Sequence, residues 1–135
     1  MASNLAIIFY NSCLLFGGEI MELKEIMDYQ HFIVVGDTVN EEKYAYKIKH
    51  ELLKYGYKVM CVGKELETLD EANGDIVDLC INPKKGYDLL KNSSFNFKGV
   101  LIQPGAESKE IKELLEEKGI PYLEGCALVG LRLYK

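Results

Sequence analysis

A chain of 135 residues with 48% apolar and 27% charged side chains is long enough to close one core and short for two ordinary domains. Its net charge of −5 carries no block of like charge, which argues against a nucleic-acid partner held by a general basic surface. Four cysteines without a C-x-x-C pair, and two histidines, His31 and His50, point away from zinc and towards reduced thiols in a cytoplasmic protein.

Residues 1–20 hold two apolar runs, 5–10 and 13–16, separated by Asn11-Ser12. Neither is long enough to span a membrane, and no basic leader or small-residue cleavage site accompanies them, so no membrane partner is expected. An added strand, an oligomer contact and an upstream extension foreign to the natural protein are the three readings. The third is preferred, because Met21 opens an ordinary α/β sequence and the domain then covers residues 21–135.

A short helix is expected at 22–29, with Leu23, Ile26 and Met27 on one side. The β-branched run at 31–36 reads as the first strand and ends in Gly36. Thr38 and Glu41 have capping-box spacing and predict a helix over 40–55, with Tyr44, Ile48, Leu52 and Tyr55 at helical spacing and Gly56 as its stop. The second strand follows at 57–62. Thr68 and Glu71 repeat the capping-box spacing and predict a helical turn at 69–72, broken by Asn73-Gly74. The third strand covers 75–81 and stops at Asn82-Pro83, with a short helix at 87–91. The fourth strand covers 99–103, Pro104-Gly105 turns the chain, and a helix runs over 106–118 with Ile111, Leu114 and Leu115 inward. Gly119 and Pro121 end that helix, 120–123 is the fifth strand, and 125–135 carries no clear signal. Short apolar strands alternating with helices predict one Rossmann-like α/β domain, a parallel five-stranded sheet with helices on both faces.

In such sheets ligands bind beyond the carboxyl ends of the strands, at the topological switch point. That rule selects Gly36, Asp37 and Thr38 after the first strand, Gly63 and Lys64 after the second, and Asn82 and Pro83 after the third. After the fourth it selects Gln103, Pro104, Gly105, Ala106 and Glu107. Gly36 lets the backbone come close to a ligand, and free amides at the next helix start suit phosphate. One glycine is not a G-x-G-x-x-G fingerprint, however. An NAD site wants an acid at the end of the second strand; Gly63-Lys64 stands there, with Glu65 late, and suits a phosphate-bearing adenosine better. No carboxylate pair or Ser-His arrangement occupies the strand ends, which favours a binding module over an enzyme.

Five segments carry a resemblance. They are Gly36-Asp37-Thr38 with Gly56-Tyr57, Lys47 between Tyr46 and Ile48, Val77-Asp78-Leu79 leading to Asn82-Pro83, Gln103-Pro104-Gly105-Ala106-Glu107-Ser108, and Glu124-Gly125-Cys126. With these the chain from about residue 32 to 126 resembles the small stand-alone CoA-binding proteins, which are Rossmann-like and related to the CoA-binding domain of succinyl-CoA synthetase. It departs from them in having Gly63-Lys64 for Asn-Pro, Ala45 for a helix serine, and 128–135 in place of a C-terminal helix.

The resemblance implies a small cytoplasmic protein that binds CoA or acyl-CoA without chemistry of its own. Gly36 to Thr38 would hold phosphate through backbone amides, and Lys47 or Lys64 would supply charge. Gly63 and Asn82 would flank the adenosine, Gly105 to Glu107 would approach from the fourth strand, and Cys126 would lie near the CoA thiol. Two alternatives stay open at this point. One is an NAD(P)-linked or CoA-dependent enzyme subunit whose other half is a separate chain. The other is a ligand-free regulatory module that contacts partners through 5–16 or through Leu131 and Leu133. A homo-oligomer is compatible with each.

Overall fold

The structure, a computed structural model, describes residues 21–135. The expectations for residues 1–20 lie outside the described residues.

Strand β1 (His31–Gly36) is flanked by β2 (Lys58–Gly63) on one side and β3 (Ile76–Cys80) on the other. β4 (Gly99–Ile102) and β5 (Tyr122–Glu124) extend the sheet beyond β3, giving the order β2-β1-β3-β4-β5 with every pairing parallel. The chain thus leaves β1 in one direction and returns to its opposite side for β3, which puts the switch point between β1 and β3.

Alternation along the strands divides the interior in two. Ile33, Val35, Val77, Leu79, Val100 and Ile102 face one layer, and Phe32, Val34, Ile76 and Leu101 face the other. The first layer is covered by α3 (Pro83–Lys91) and α4 (Lys109–Lys118) through Leu90, Ile111, Leu114 and Leu115. The second is covered by α1 (Leu23–Met27), α2 (Tyr44–Lys54) and α5 (Ala127–Tyr134) through Ile26, Met27, Ile48, Leu52, Ala127 and Leu131. The sheet therefore has helices on both faces, as the strand pattern predicts.

Besides shifts of one to three residues, such as α4 starting at Lys109 behind the Ser108 cap and not at 106, and β5 starting at Tyr122 and not at 120, three differences from the sequence expectation bear on the site. α2 starts at Tyr44 rather than at 40, and its N-cap, Lys43, makes no side-chain cap. Thr38 does not form the expected capping box with Glu41; its hydroxyl is buried and donates to Glu65 Oε2 at 2.7 Å. Asp37 turns the chain instead: its Oδ1 accepts from the amides of Val39 (3.1 Å) and Asn40 (3.0 Å), a local arrangement that competes with helix initiation. α3 starts at Pro83, not 87. Asn82 Oδ1 accepts from the Lys84 and Lys85 amides and Pro83 takes the first helical position, so the pair that stops the strand also starts the helix. The tail forms α5, so a C-terminal helix is present. Its pattern is apolar nearly all round and lacks the one-sided stripe that marks an amphipathic helix. The predicted turn at Thr68 does form, as a 3-10 turn at Leu69–Glu71 with a reciprocal capping box. No helix among the described residues is long and apolar enough to cross a membrane.

Candidate functional site: a cleft at the carboxyl edge of the sheet

Loops leaving β1, β3, β4 and β5 surround a cleft of about 550 Å³, a size ordinary for a small-molecule site. Asp37, Asn82, Gln103, Pro104, Gly105 and Ala106, all expected from the strand-end rule, line it. The rule does not supply Lys43, Tyr44, Cys80, Ile81 and Lys85, which line it too. Lys43 and Tyr44 were missed because the long loop 37–43 carries them back to the cleft. Lys85 was missed because α3 begins a full turn earlier than expected. Ala45 and Cys126, noted above for their places in the family pattern, complete the wall.

Gly36, Thr38, Lys47, Gly63, Lys64, Pro83 and Glu107 do not line this cleft. Gly36 is fixed by packing. A Cβ there would sit 2.2 Å from the Cys80 carbonyl oxygen, and one on Gly63 would sit 2.7 Å from the Gly36 carbonyl oxygen. These glycines let three strand ends close on one another. Beside them Thr38 and Lys49 both bind Glu65, Lys49 Nζ at 2.9 Å, and this ties the β1 loop, the β2 loop and α2 together. The Thr38 hydroxyl and the Lys49 ammonium hold the Glu65 carboxyl below its ordinary range. Lys47 lies over the Tyr44 ring with its Nζ 5.7 Å from the centroid, and Lys64 is exposed. Pro83 lines a smaller groove of about 310 Å³ with Tyr87 and Ser108.

Several amides at the strand ends and helix starts around the cleft are engaged within the protein. Asp37 takes those of Val39 and Asn40, and Asn82 takes those of Lys84 and Lys85. Glu107 Oε1 takes the Gly105 amide at 2.7 Å. Two backbone bonds hold the Asp37 carboxyl below its ordinary range, so it stays ionised. Cationic capacity on the cleft wall comes from Lys43 and Lys85, both exposed and neither in an ion pair among the described residues. Gly105 gives the cleft an open backbone shelf: its φ is +94° and a Cβ would meet nothing within 4 Å. Gln103 is buried, and its Oε1 accepts from the Ala127 amide at 2.8 Å, which turns its NH2 end into the donor left for a ligand. Two ammonium groups and a carboxamide donor, beside an unobstructed glycine, make a set of groups suited to an anionic ligand.

The floor is uncharged. Burial pushes the Cys80 thiol up to about 12, with Asp78 and Cys126 nearby contributing, so Cys80 is a thiol and not a thiolate nucleophile. Asp78 lies two residues earlier on the same face of β3, fully buried, and neither carboxyl oxygen has a hydrogen-bond partner among the described residues. Burial raises its pKa to about 8, which makes it a neutral acid at neutral pH.

Comparison with known proteins agrees with this architecture. Residues 30–132 match the family described as CoA binding domain. A conserved hypothetical protein from Pyrococcus furiosus is 27% identical with a TM-score of 0.66, over 75% of this chain and 98% of its own. The crystal structure of an uncharacterized protein is 29% identical with a TM-score of 0.66, over 77% of this chain and 95% of its own. A hypothetical protein from Pyrococcus horikoshii OT3 shares the fold with a TM-score of 0.71 at 20% identity, over 82% of this chain and 87% of its own. No curated protein matches the sequence.

Proposed function

This chain belongs to the CoA-binding domain family, matched over residues 30–132, and from that premise we propose that its carboxyl-edge cleft binds CoA or an acyl-CoA as a small cytoplasmic binding protein. The observation that carries the reading is the convergence of Lys43, Lys85 and the open Gly105 shelf on one cleft at the switch point. Lys43 and Lys85 meet the phosphates as point charges, a task assigned from sequence to the Gly36–Thr38 amides and to Lys47 or Lys64. The Gln103 NH2 donates to a carbonyl of the pantetheine arm, and the arm follows Gly105 and Ala106. The neutral floor at Cys80 supports binding without a nucleophilic step. Free cysteines at 61, 80 and 126 suit a reducing compartment.

Native mass spectrometry of protein purified without added ligand, followed by calorimetric titration with CoA, acetyl-CoA and NAD, tests the reading. A co-purified CoA mass, or saturable CoA binding with NAD inert, is expected. Absence of binding by CoA and acetyl-CoA overturns it.

A further inference from the structure

Tyr44 is the first residue of α2 and the one aromatic side chain on the cleft wall among the described residues. It stays 63% exposed, more than Tyr55 at 47% or Tyr134 at 42%, the other aromatic rings left largely in water. Other tyrosines have evident structural work. The Tyr57 hydroxyl donates to the Met27 carbonyl at 2.6 Å, the Tyr46 ring packs on His50, and the Tyr122 hydroxyl donates to Glu116. Tyr44 has one such contact, the Lys47 ammonium 5.7 Å from its ring centroid, which steadies the ring and leaves most of it to solvent. Its chain neighbour is Lys43, one of the two cations assigned to phosphate. A flat ring beside a phosphate-binding ammonium is the arrangement that takes a nucleotide base, because every base offers a π-face to stack.

We infer that Tyr44 is the platform on which the adenine of CoA stacks, so that the ligand enters the cleft with its nucleotide end at the start of α2 and its pantetheine end towards Cys80 and Cys126. The inference rests on the CoA reading above and adds the ligand's orientation. It also gives the mouth of the cleft a preference for ligands with an aromatic base, independent of the acyl group at the other end. The uncharged lining by Cys80, Ile81, Ala106 and Cys126 suits the arm and no nucleotide.

The chain contains no Trp, so Tyr44→Trp introduces a single reporter. Emission of that Trp should be quenched saturably by CoA and by adenosine 3′,5′-bisphosphate, and unchanged by phosphopantetheine. In calorimetry Tyr44→Ala should weaken CoA about tenfold or more, the size of one base–aromatic stack, with Tyr44→Phe retaining wild-type affinity. Wild-type CoA affinity in Tyr44→Ala, or quenching by phosphopantetheine alone, overturns the orientation while the CoA reading survives. Failure of the wild-type protein to bind CoA removes both.

Discussion

The two crevices beside β1 start from similar material and end differently. Each lies where a strand-end glycine meets a following loop, and each holds a lysine and an acid: Lys64 and Glu65 on the β2 side, Lys43 and Asp37 towards β3. On the β2 side the strand ends touch through Gly36 and Gly63, and the Glu65 carboxylate is consumed by Thr38 and Lys49. Towards β3 and β4 the acid folds back on its own loop, Lys43 and Lys85 have no carboxylate partner among the described residues, and a cleft stays open. Internal satisfaction of polar groups, more than residue type, decides which crevice is left to bind anything.

The comparison can be broken most severely at Gly36. Gly36→Val drives a branched side chain into the Cys80 carbonyl, and a loss of more than about 4 kcal/mol is expected. Circular dichroism and thermal melts should report a protein largely unfolded at room temperature, so this variant reads the packing of the strand ends around Gly36 and not ligand contact.

The acids on the two sides should titrate in opposite senses. Asp78, under the open cleft, has its folded pKa raised from 3.8 to about 8. The folded state keeps a proton that the unfolded chain releases, so this stabilising contribution is complete below pH 3.8 and is lost as pH rises through about 8. Asp78→Asn should raise the melting temperature at pH 8 by several degrees and flatten the decline between pH 4 and pH 8. Glu65 has its folded pKa lowered, so its contribution is present above 4.5 and is lost as pH falls through the folded value. Glu65→Gln should remove that acid-side loss in the same melts.

Thr38→Val keeps the volume and deletes the buried hydroxyl bonded to Glu65. It should cost about 2 kcal/mol in denaturant unfolding and leave CoA affinity at the wild-type value. The smallest effect sharpens the contrast between lysines. Lys85→Ala should weaken CoA by about tenfold, or about 1.4 kcal/mol, and flatten the salt dependence of binding, with the melting temperature unchanged. Lys64→Ala should change neither. Equal losses in the two variants would mean that the β2 crevice takes phosphate after all.

Much of the fold was legible because its signals are local. β1 was read to the residue, since a β-branched run closed by glycine admits few other readings. The 3-10 turn after Thr68 and the end of α4 at Gly119 followed from capping chemistry confined to a few residues. The start of α2 was misread because Thr38 obeys a partner 27 positions away, which no window along the chain contains. The cleft was half legible, in part for the same reason. Asp37, Asn82 and the segment Gln103 to Ala106 sit at strand ends that the sequence marks. Lys43 and Tyr44 reach the cleft because the start of α2 is shifted, whereas Lys85 reaches it through the Asn82-Pro83 cap, a local signal that was read only as the end of a strand.

The sequence by itself determined the parallel five-stranded α/β architecture and the family, and it marked the carboxyl edge of the sheet where the cleft lies, because periodicity, strand-end glycines and short motifs are properties of neighbouring residues. Tertiary structure alone decided which side of β1 closed and which lysines stayed free. Those outcomes depend on backbone approach between Gly36, Gly63 and Cys80 and on the long-range capture of Glu65 by Thr38 and Lys49, and side chains distant in the chain meet only once the core has formed.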